Sequence, residues 1–454
     1  MNIILSDRLD TLTELILNNK EWKIDVLIVQ NLNKKMKYMG NCRIKSIYTL
    51  NELQESNDFS GFNVELAKKM KHVQTISDSG LRRILDDYQF SRYVHFSNIA
   101  MINKIFLENN KIDACIINEP IHGFASDALL AEFAKMYNIP VFNFMVQTNN
   151  KFCINMDVIN GNLLKLSSGS SFTQEDIKKA AHWMEQGETN KVDGGHVKKI
   201  ILSFGGMLLF RTVWCLLRLK KSMIINFREY SIWNYYKAWF HIWRMRSYVR
   251  SKYGDFEKDK AYIVYFLHFE PEAIVTNYSE TMDSQLVIIS MIASLLPKGW
   301  KLYVKEHPDT YNLNRETFDY FVPTYTTFQT KFFFDKISSA PNTFLIDYHI
   351  PATDIIKNAK AVASICGTVL LESITMNKPI LEFANSRKYI ISLVRDVFAI
   401  QSFDDLNKAI CKIKDGFVPQ YTDVENVYNS FLLPMSSTGY LHGLNEVEQK
   451  LMDK

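Results

Sequence analysis

Three short runs in the second half of the chain collect residue types that bind and activate polar substrates. The first is Lys305-Glu306-His307-Pro308, which directly follows the apolar stretch Lys301–Val304. That stretch reads as a strand, and in a parallel α/β sheet ligands bind beyond the carboxyl ends of strands. Pro308 restricts the backbone of His307 to extended conformations and so sets the direction of the ring. An imidazole with a lysine two residues away suits a phosphate group. The plainer alternative is a loop histidine beside a solvated lysine.

The second run is Ser364-Ile-Cys-Gly367-Thr368-Val-Leu-Leu-Glu372-Ser373. A short apolar strand ends at a glycine and a helix begins at once. Thr368 is expected as the N-cap, and Gly367 lets the backbone approach a ligand closely. Exposed N–H groups and the helix dipole there form an anion site. Glu372, one turn in on the Thr368 side, is placed to accept hydrogen bonds from ribose hydroxyls. The alternative is a capped helix whose glutamate complements the dipole. The third run, His268-Phe269-Glu270-Pro271-Glu272, follows the expected strand Tyr262–Leu267. Transfer at a sugar centre needs a carboxylate, to take a proton from the acceptor or to stabilise positive charge. A polar turn with Glu272 opening a helix is the structural alternative. Three successive strand ends with polar groups suited to one cleft favour function.

The chain lacks G-x-G-x-x-G, G-K-[ST], H-E-x-x-H, G-x-S-x-G and Asp-x-Asp. Dinucleotide oxidoreductases, P-loop NTPases, zincins, α/β-hydrolases and metal-dependent GT-A transferases thereby lose their main signatures.

The runs Tyr265–Glu272, Leu295–Pro308 and Gly367–Ser373, with Asn377-Lys-Pro-Ile380, resemble the bacterial capsule polysaccharide biosynthesis family, which includes the Kdo transferases of capsule assembly. The resemblance covers about residues 260–390. More distantly it is similar to other GT-B enzymes with a His-Pro motif. It implies transfer of a sugar from a nucleotide donor, plausibly a CMP-activated acidic sugar such as Kdo. It assigns Lys305, His307, Gly367, Thr368 and Glu372 to the donor nucleotide. It assigns catalysis to Glu272, or Glu270 one register away, with His268 in the same run. The chain departs from those Kdo transferases in carrying His-Phe-Glu-Pro-Glu where they have a Gln- and Asp-containing stretch. No metal or cofactor is expected, since the nucleotide-sugar is a substrate.

The elements that must position these groups read as two α/β domains. In residues 1–165, Ile24–Gln30 and Asp113–Asn118 are apolar runs typical of strands buried on both faces. Ser126–Tyr137 has helical spacing, and Ile139–Phe144 returns as a strand, which makes a βαβ unit. Glu119 and His122 follow one strand and are the candidate acceptor contacts, though a satisfied loop histidine is the simpler reading. Residues 260–415 alternate again. Strands are expected at Tyr262–Leu267, Lys301–Lys305, Thr343–Asp347, Ala361–Ile365 and Pro379–Phe383, and helices at Met282–Leu296, Ala352–Ala359, Thr368–Met376 and Phe403–Lys412. The fold class is therefore α/β, two Rossmann-like domains in a GT-B-like arrangement. Residues 166–259 form a helical, basic and aromatic insert, and 416–454 a helical tail.

The insert differs in charge from the rest. Residues 198–260 hold 14 Lys/Arg against 4 acidic residues, a balance of +10, whereas the 454-residue chain totals +4. The remainder is thus −6, which argues against a nucleic-acid-coating protein. Four of the seven tryptophans, Trp214, Trp233, Trp239 and Trp243, lie there. The longest apolar stretch, Ile200–Leu217, is broken by Arg211, so contact with an anionic membrane surface is expected rather than a span. The start, Met-Asn-Ile-Ile-Leu-Ser-Asp-Arg, lacks a signal pattern, and six scattered cysteines without C-x-x-C spacing fit buried thiols in a reducing compartment. The expectation is a cytoplasmic enzyme, peripheral on the inner face of the plasma membrane, with a nucleotide-sugar donor and a glycan or glycolipid acceptor. A CDP-polyol phosphotransferase, a nucleotide-sugar 2-epimerase and a non-catalytic membrane-associated assembly protein are the competing readings.

Overall fold

The computed structural model describes all residues except 8–9, 55, 75–87, 110, 119–124, 149–150, 159, 180–221, 226–227, 271–283, 308–309, 311–329, 385–386 and 454. The chain divides into two compact units. The first comprises Met1–Thr173, Asn385–Ile390 and Asp423–Lys454, and the second Gln174–Ala384 and Ile391–Thr422.

The first unit is built on a seven-stranded sheet. Strand β1 (Asn2–Asp7) lies between β2 (Lys23–Val29) and β4 (Ala114–Asn118), both parallel to it. β3 (Ile44–Thr49) continues beyond β2, and β5 (Val141–Thr148) beyond β4, again in parallel. The runs expected at Ile24–Gln30, Asp113–Asn118 and Ile139–Phe144 are β2, β4 and β5, and β1 and β4 are buried almost throughout. Each such side chain contributes about 1.5–3 kcal/mol relative to exposure, which holds the sheet between helical layers. Only two residues separate β5 from β6 (Lys151–Asn155), too few for a crossover, so this pair is antiparallel. The parallel sheet that the βαβ unit implies therefore carries an antiparallel edge.

The tail is more than helices. Residues Val424–Phe431 and Ser437–Met452 are helical, and between them β15 (Leu433–Pro434) pairs antiparallel with β6. Tyr440, Leu444 and Val447 join the same apolar cluster as Phe144 and Phe152. The Tyr440 and Phe152 rings stack at 4.6 Å. Gly443 is required there, because a Cβ would stand 2.8 Å from Phe144.

In the second unit, β7 (Ser222–Ile225) and β8 (Arg228–Ser231) form a hairpin, followed by a helix at Ile232–Arg250. The insert is therefore not wholly helical. Within the expected helical insert, residues 174–179 are helical and 180–221 lie outside the described residues. The main sheet has six strands: β9 (Tyr262–Phe266), β10 (Lys301–Lys305), β11 (Thr343–Ile346), β12 (Ala361–Ser364), β13 (Ile380–Glu382) and β14 (Phe398–Ala399). Their order is β11-β10-β9-β12-β13-β14, and every pair is parallel. This is the doubly wound order 3-2-1-4-5-6, in which the winding direction reverses between the first and fourth strands. Both units are thus Rossmann-like α/β domains. In the second, the switch point falls between β9 and β12.

Candidate functional site

The carboxyl ends of β9, β10 and β12 are adjacent, and they carry the three runs singled out above. His268 leaves β9 at the switch point. Its Nε2 accepts a hydrogen bond from the Cys366 amide at 3.2 Å and lies 3.2 Å from the Ser364 hydroxyl. A ring nitrogen that accepts from an amide is unprotonated, so in the neutral ring the proton sits on Nδ1. Ser364 is held in turn by the carbonyls of Phe266 and Cys366, at 3.2 and 3.0 Å. His268 therefore docks on the small-residue turn after β12, one strand away.

That turn opens the helix Thr368–Thr375. Gly367, not Thr368, is the N-cap, so the capping residue has no side chain to offer. Thr368 is the first helical residue instead. Gly367 has φ +113°, a conformation that L side chains rarely adopt. A Cβ would meet His268 Cε1 at an ordinary 3.7 Å. Conformation rather than space demands the glycine. The result is a helix start at a glycine, beside an imidazole.

Glu270 is half-buried, and Gln285 locks it in place. The Gln285 side chain is 2% exposed, accepts from the His268 amide at 2.8 Å and donates to Glu270 Oε1 at 3.0 Å. Gln285 opens the otherwise apolar helix Gln285–Leu295. His268, Glu270, Gln285, Glu306 and Thr310 line one pocket with Leu267 and Phe333. Gln285, Glu306 and Thr310 were not singled out in sequence. The one available signal was a polar residue heading an apolar helix.

At the end of β10 the side chains divide. Lys305 is 2% exposed and its ammonium donates to the Tyr348 carbonyl at 3.0 Å, tying β10 to the segment after β11. Glu306 is also buried and accepts from the Tyr253 hydroxyl at 2.6 Å. Burial, reinforced by the neighbouring Glu306 charge, raises the Tyr253 phenol well above its usual range. His307 is half-buried, with its ring 6.3 Å from that of Phe269. Protein crowding around the ring, and secondarily the Lys305 charge, push its pKa down to about 4. His307 is thus neutral at pH 7, so it can offer a ligand an N–H dipole but not a positive charge.

Glu372 is 4% exposed within the helix Thr368–Thr375, so its carboxylate is not displayed on the surface. Glu119, His122 and Glu272 lie outside the described residues. Of the two candidate catalytic carboxylates, Glu270 is the one whose position is seen. Near Glu119 and His122, the last residue of β4, Asn118, donates to the buried Asp7 carboxylate at 2.8 Å. Among the described residues no group of three His, Cys, Asp or Glu is placed to hold a metal. Cys115, Cys153 and Cys366 are buried free thiols, whereas Cys42 and Cys411 are exposed.

No protein-family model matches the chain, and no curated protein sequence matches it. Several solved structures are similar over most of its length. One is the UDP-GlcNAc 2-epimerase from Methanocaldococcus jannaschii, with 11% identity over 98% of this chain and 99% of that one and a TM-score of 0.26. Another is Thermosulfurimonas dismutans KpsC, a beta Kdo 2,7 transferase, with 10% identity over 85% and 90% and a TM-score of 0.28. A third, trehalose-6-phosphate from E. coli bound with UDP-2-fluoro glucose, has 9% identity over 100% and 98% and a TM-score of 0.31. At these values the likeness carries no argument about activity, and the fold class rests on the strand order itself.

Proposed function

We propose that the chain is a nucleotide-sugar-dependent glycosyltransferase whose donor site is the carboxyl edge of the second sheet. The observation that carries this reading is the convergence at the switch point. A helix start at a positive-φ glycine, an imidazole and a locked carboxylate meet where a doubly wound sheet takes its ligand. The amides at Gly367 and Thr368 and the neutral His307 hold the diphosphate or phosphate of the donor, while the ribose role that the sequence suggests for Glu372 is not carried forward, because its carboxylate is buried. Lys305 positions the end of β10 through Tyr348 rather than touching the donor. Glu270 takes the proton of the acceptor hydroxyl. As that proton leaves, the acceptor oxygen bonds to the anomeric carbon, the bond from that carbon to the phosphate oxygen breaks, and the nucleotide departs with the electron pair.

The resemblance to the capsule polysaccharide family supports a donor such as CMP-Kdo and an acceptor on a surface polysaccharide or a lipid carrier. It supports a GT-B arrangement of the two domains as well. The test is incubation with CMP-, UDP- and CDP-activated donors, scored by nucleotide release with and without glycolipid acceptor. Acceptor-dependent release from one class is expected. Recovery of the sugar nucleotide with an inverted C2 centre, and no release, would replace transfer by 2-epimerisation. No change in any donor would leave an assembly protein.

Replacing Glu270 by Gln keeps shape and removes the base. It is expected to lower kcat by about 100-fold with donor affinity little changed. Should Glu272→Gln be the damaging change instead, the catalytic group lies two residues further on.

A further inference from the structure

The helix Ile232–Arg250 carries Lys237, Arg244, Arg246 and Arg250 and no acidic residue. One side of it is spent on packing. Ala238, Met245 and Val249 are buried, Arg246 donates to the Tyr348 hydroxyl at 3.2 Å, and the Tyr248 hydroxyl donates to Asp335. Among the described residues, the other side carries exposed side chains. Trp233, Phe240 and Trp243 are 69%, 54% and 56% exposed, and Lys237 and Arg244 are exposed as well. Positions 233, 237, 240 and 244 follow the i, i+4, i+7, i+11 spacing of a single helical stripe, about 16 Å long at the α-helical rise. Trp243 flanks it. The rings are paired, Trp233 with Tyr236 at 6.1 Å and Phe240 with Trp243 at 5.9 Å. Scattered exposed apolar residues are ordinary, but two large aromatics alternating with cations on one stripe, with a third beside it, are not.

Charge decides what fits this face. A second copy of the chain would bring two cationic stripes together in an isologous contact, which is repulsive. A nucleic acid would meet a chain whose remainder is net negative. An anionic bilayer surface satisfies both components, because indole and phenyl rings settle at the headgroup level while Lys and Arg meet acidic lipids. Among the described residues no helix is long and apolar enough to cross a membrane, so the contact lies in the plane of the surface.

We propose that Trp233, Lys237, Phe240, Trp243 and Arg244 form an interfacial docking face for an anionic lipid surface. The inference stands on this helix and is independent of the transferase reading. Through Arg246 and Tyr348 the helix is tied to the segment that receives Lys305, so the docked face belongs to the sheet edge that holds the candidate site. The full chain is sedimented with phosphatidylcholine vesicles with and without phosphatidylglycerol, and intrinsic tryptophan emission is recorded. The parent is expected to pellet with the anionic vesicles alone, to shift its emission to the blue, and to be released by salt. Lys237→Gln with Arg244→Gln, and separately Trp233→Ser with Phe240→Ser and Trp243→Ser, should each weaken binding by about tenfold or more. All should melt like the parent and bind nucleotide equally. Arg246→Gln should bind vesicles like the parent. A parent that stays in the supernatant, binds neutral vesicles equally, or loses vesicle binding in neither set overturns the proposal. So does a stripe that instead drives dimerisation or RNA binding. Failure of nucleotide binding in every form leaves the docking result readable, because the two readouts are separate.

Discussion

His307 shows how spacing and environment divide the work of a residue. The Lys-x-His spacing pointed to a cationic pair for phosphate, yet the strand end sends Lys305 to the Tyr348 carbonyl and leaves His307 neutral. Side chains two residues apart on a strand share a face, but which carbonyl one of them finds depends on the neighbouring strand, and nothing local encodes that. Gln285 was missed for the same reason, since its partners His268 and Glu270 lie across a connection. His268, by contrast, was legible, because a polar residue directly behind an apolar strand exits at the ligand end. The displaced His307 titration gives a prediction. Its neutral form is favoured in the fold, so its contribution to stability is present above pH 6.5 and is lost as pH falls through about 4. The His307 ring signals in a heteronuclear titration should stay those of the neutral imidazole down to about pH 5. Protonation near pH 6.5 would show that the ring is solvated.

At the scale of elements, strands were the most readable parts, since continuous β-branched and leucine runs of four to eight residues have few other uses in a doubly wound fold. β10 was expected at the residues where it occurs, and the other expected strands differ mainly at their ends, where hydrogen bonding to a neighbour sets the limit, while β1, β3, β6 and β14 were not read from the sequence. The N-cap was misread because Thr is a good cap in isolation, while the turn after β12 needs positive φ one residue earlier. β13 ends in a residue that sequence did not flag. Glu382 is fully buried and accepts from the Ser392 hydroxyl at 2.5 Å, and burial raises its pKa to about 8. The folded state therefore keeps a proton that the unfolded chain releases from about pH 4.5 upward. Its stabilising effect is complete below that pH and gone above about 8, a loss on the order of a few kcal/mol. Thermal melts of Glu382→Gln should match the parent near pH 4.5 and exceed it at pH 8. Equal melting at both values would mean that the carboxyl is hydrated.

For the molecule as a whole, two Rossmann-like sheets were visible in the alternation of patterns, but the destination of the C-terminal residues was not. Residues 423–454 return to the first unit, where β15 extends the sheet and Tyr440 stacks on Phe152. A two-residue strand carries no periodicity, so only its partner reveals it. Tyr440→Ala should destabilise the protein by about 3 kcal/mol, read by denaturant unfolding, as loss of a buried aromatic requires. The central claim remains that the carboxyl edge of the second sheet is a nucleotide site, and calorimetric titration with CMP, UDP and CDP tests it most directly. The parent should bind at least one of them, and His307→Ala should weaken that binding by about 1.5–3 kcal/mol while melting normally, as the loss of a hydrogen bond to a charged group would. A parent that binds none of the three, or a His307→Ala variant that binds as tightly as the parent, would contradict the account.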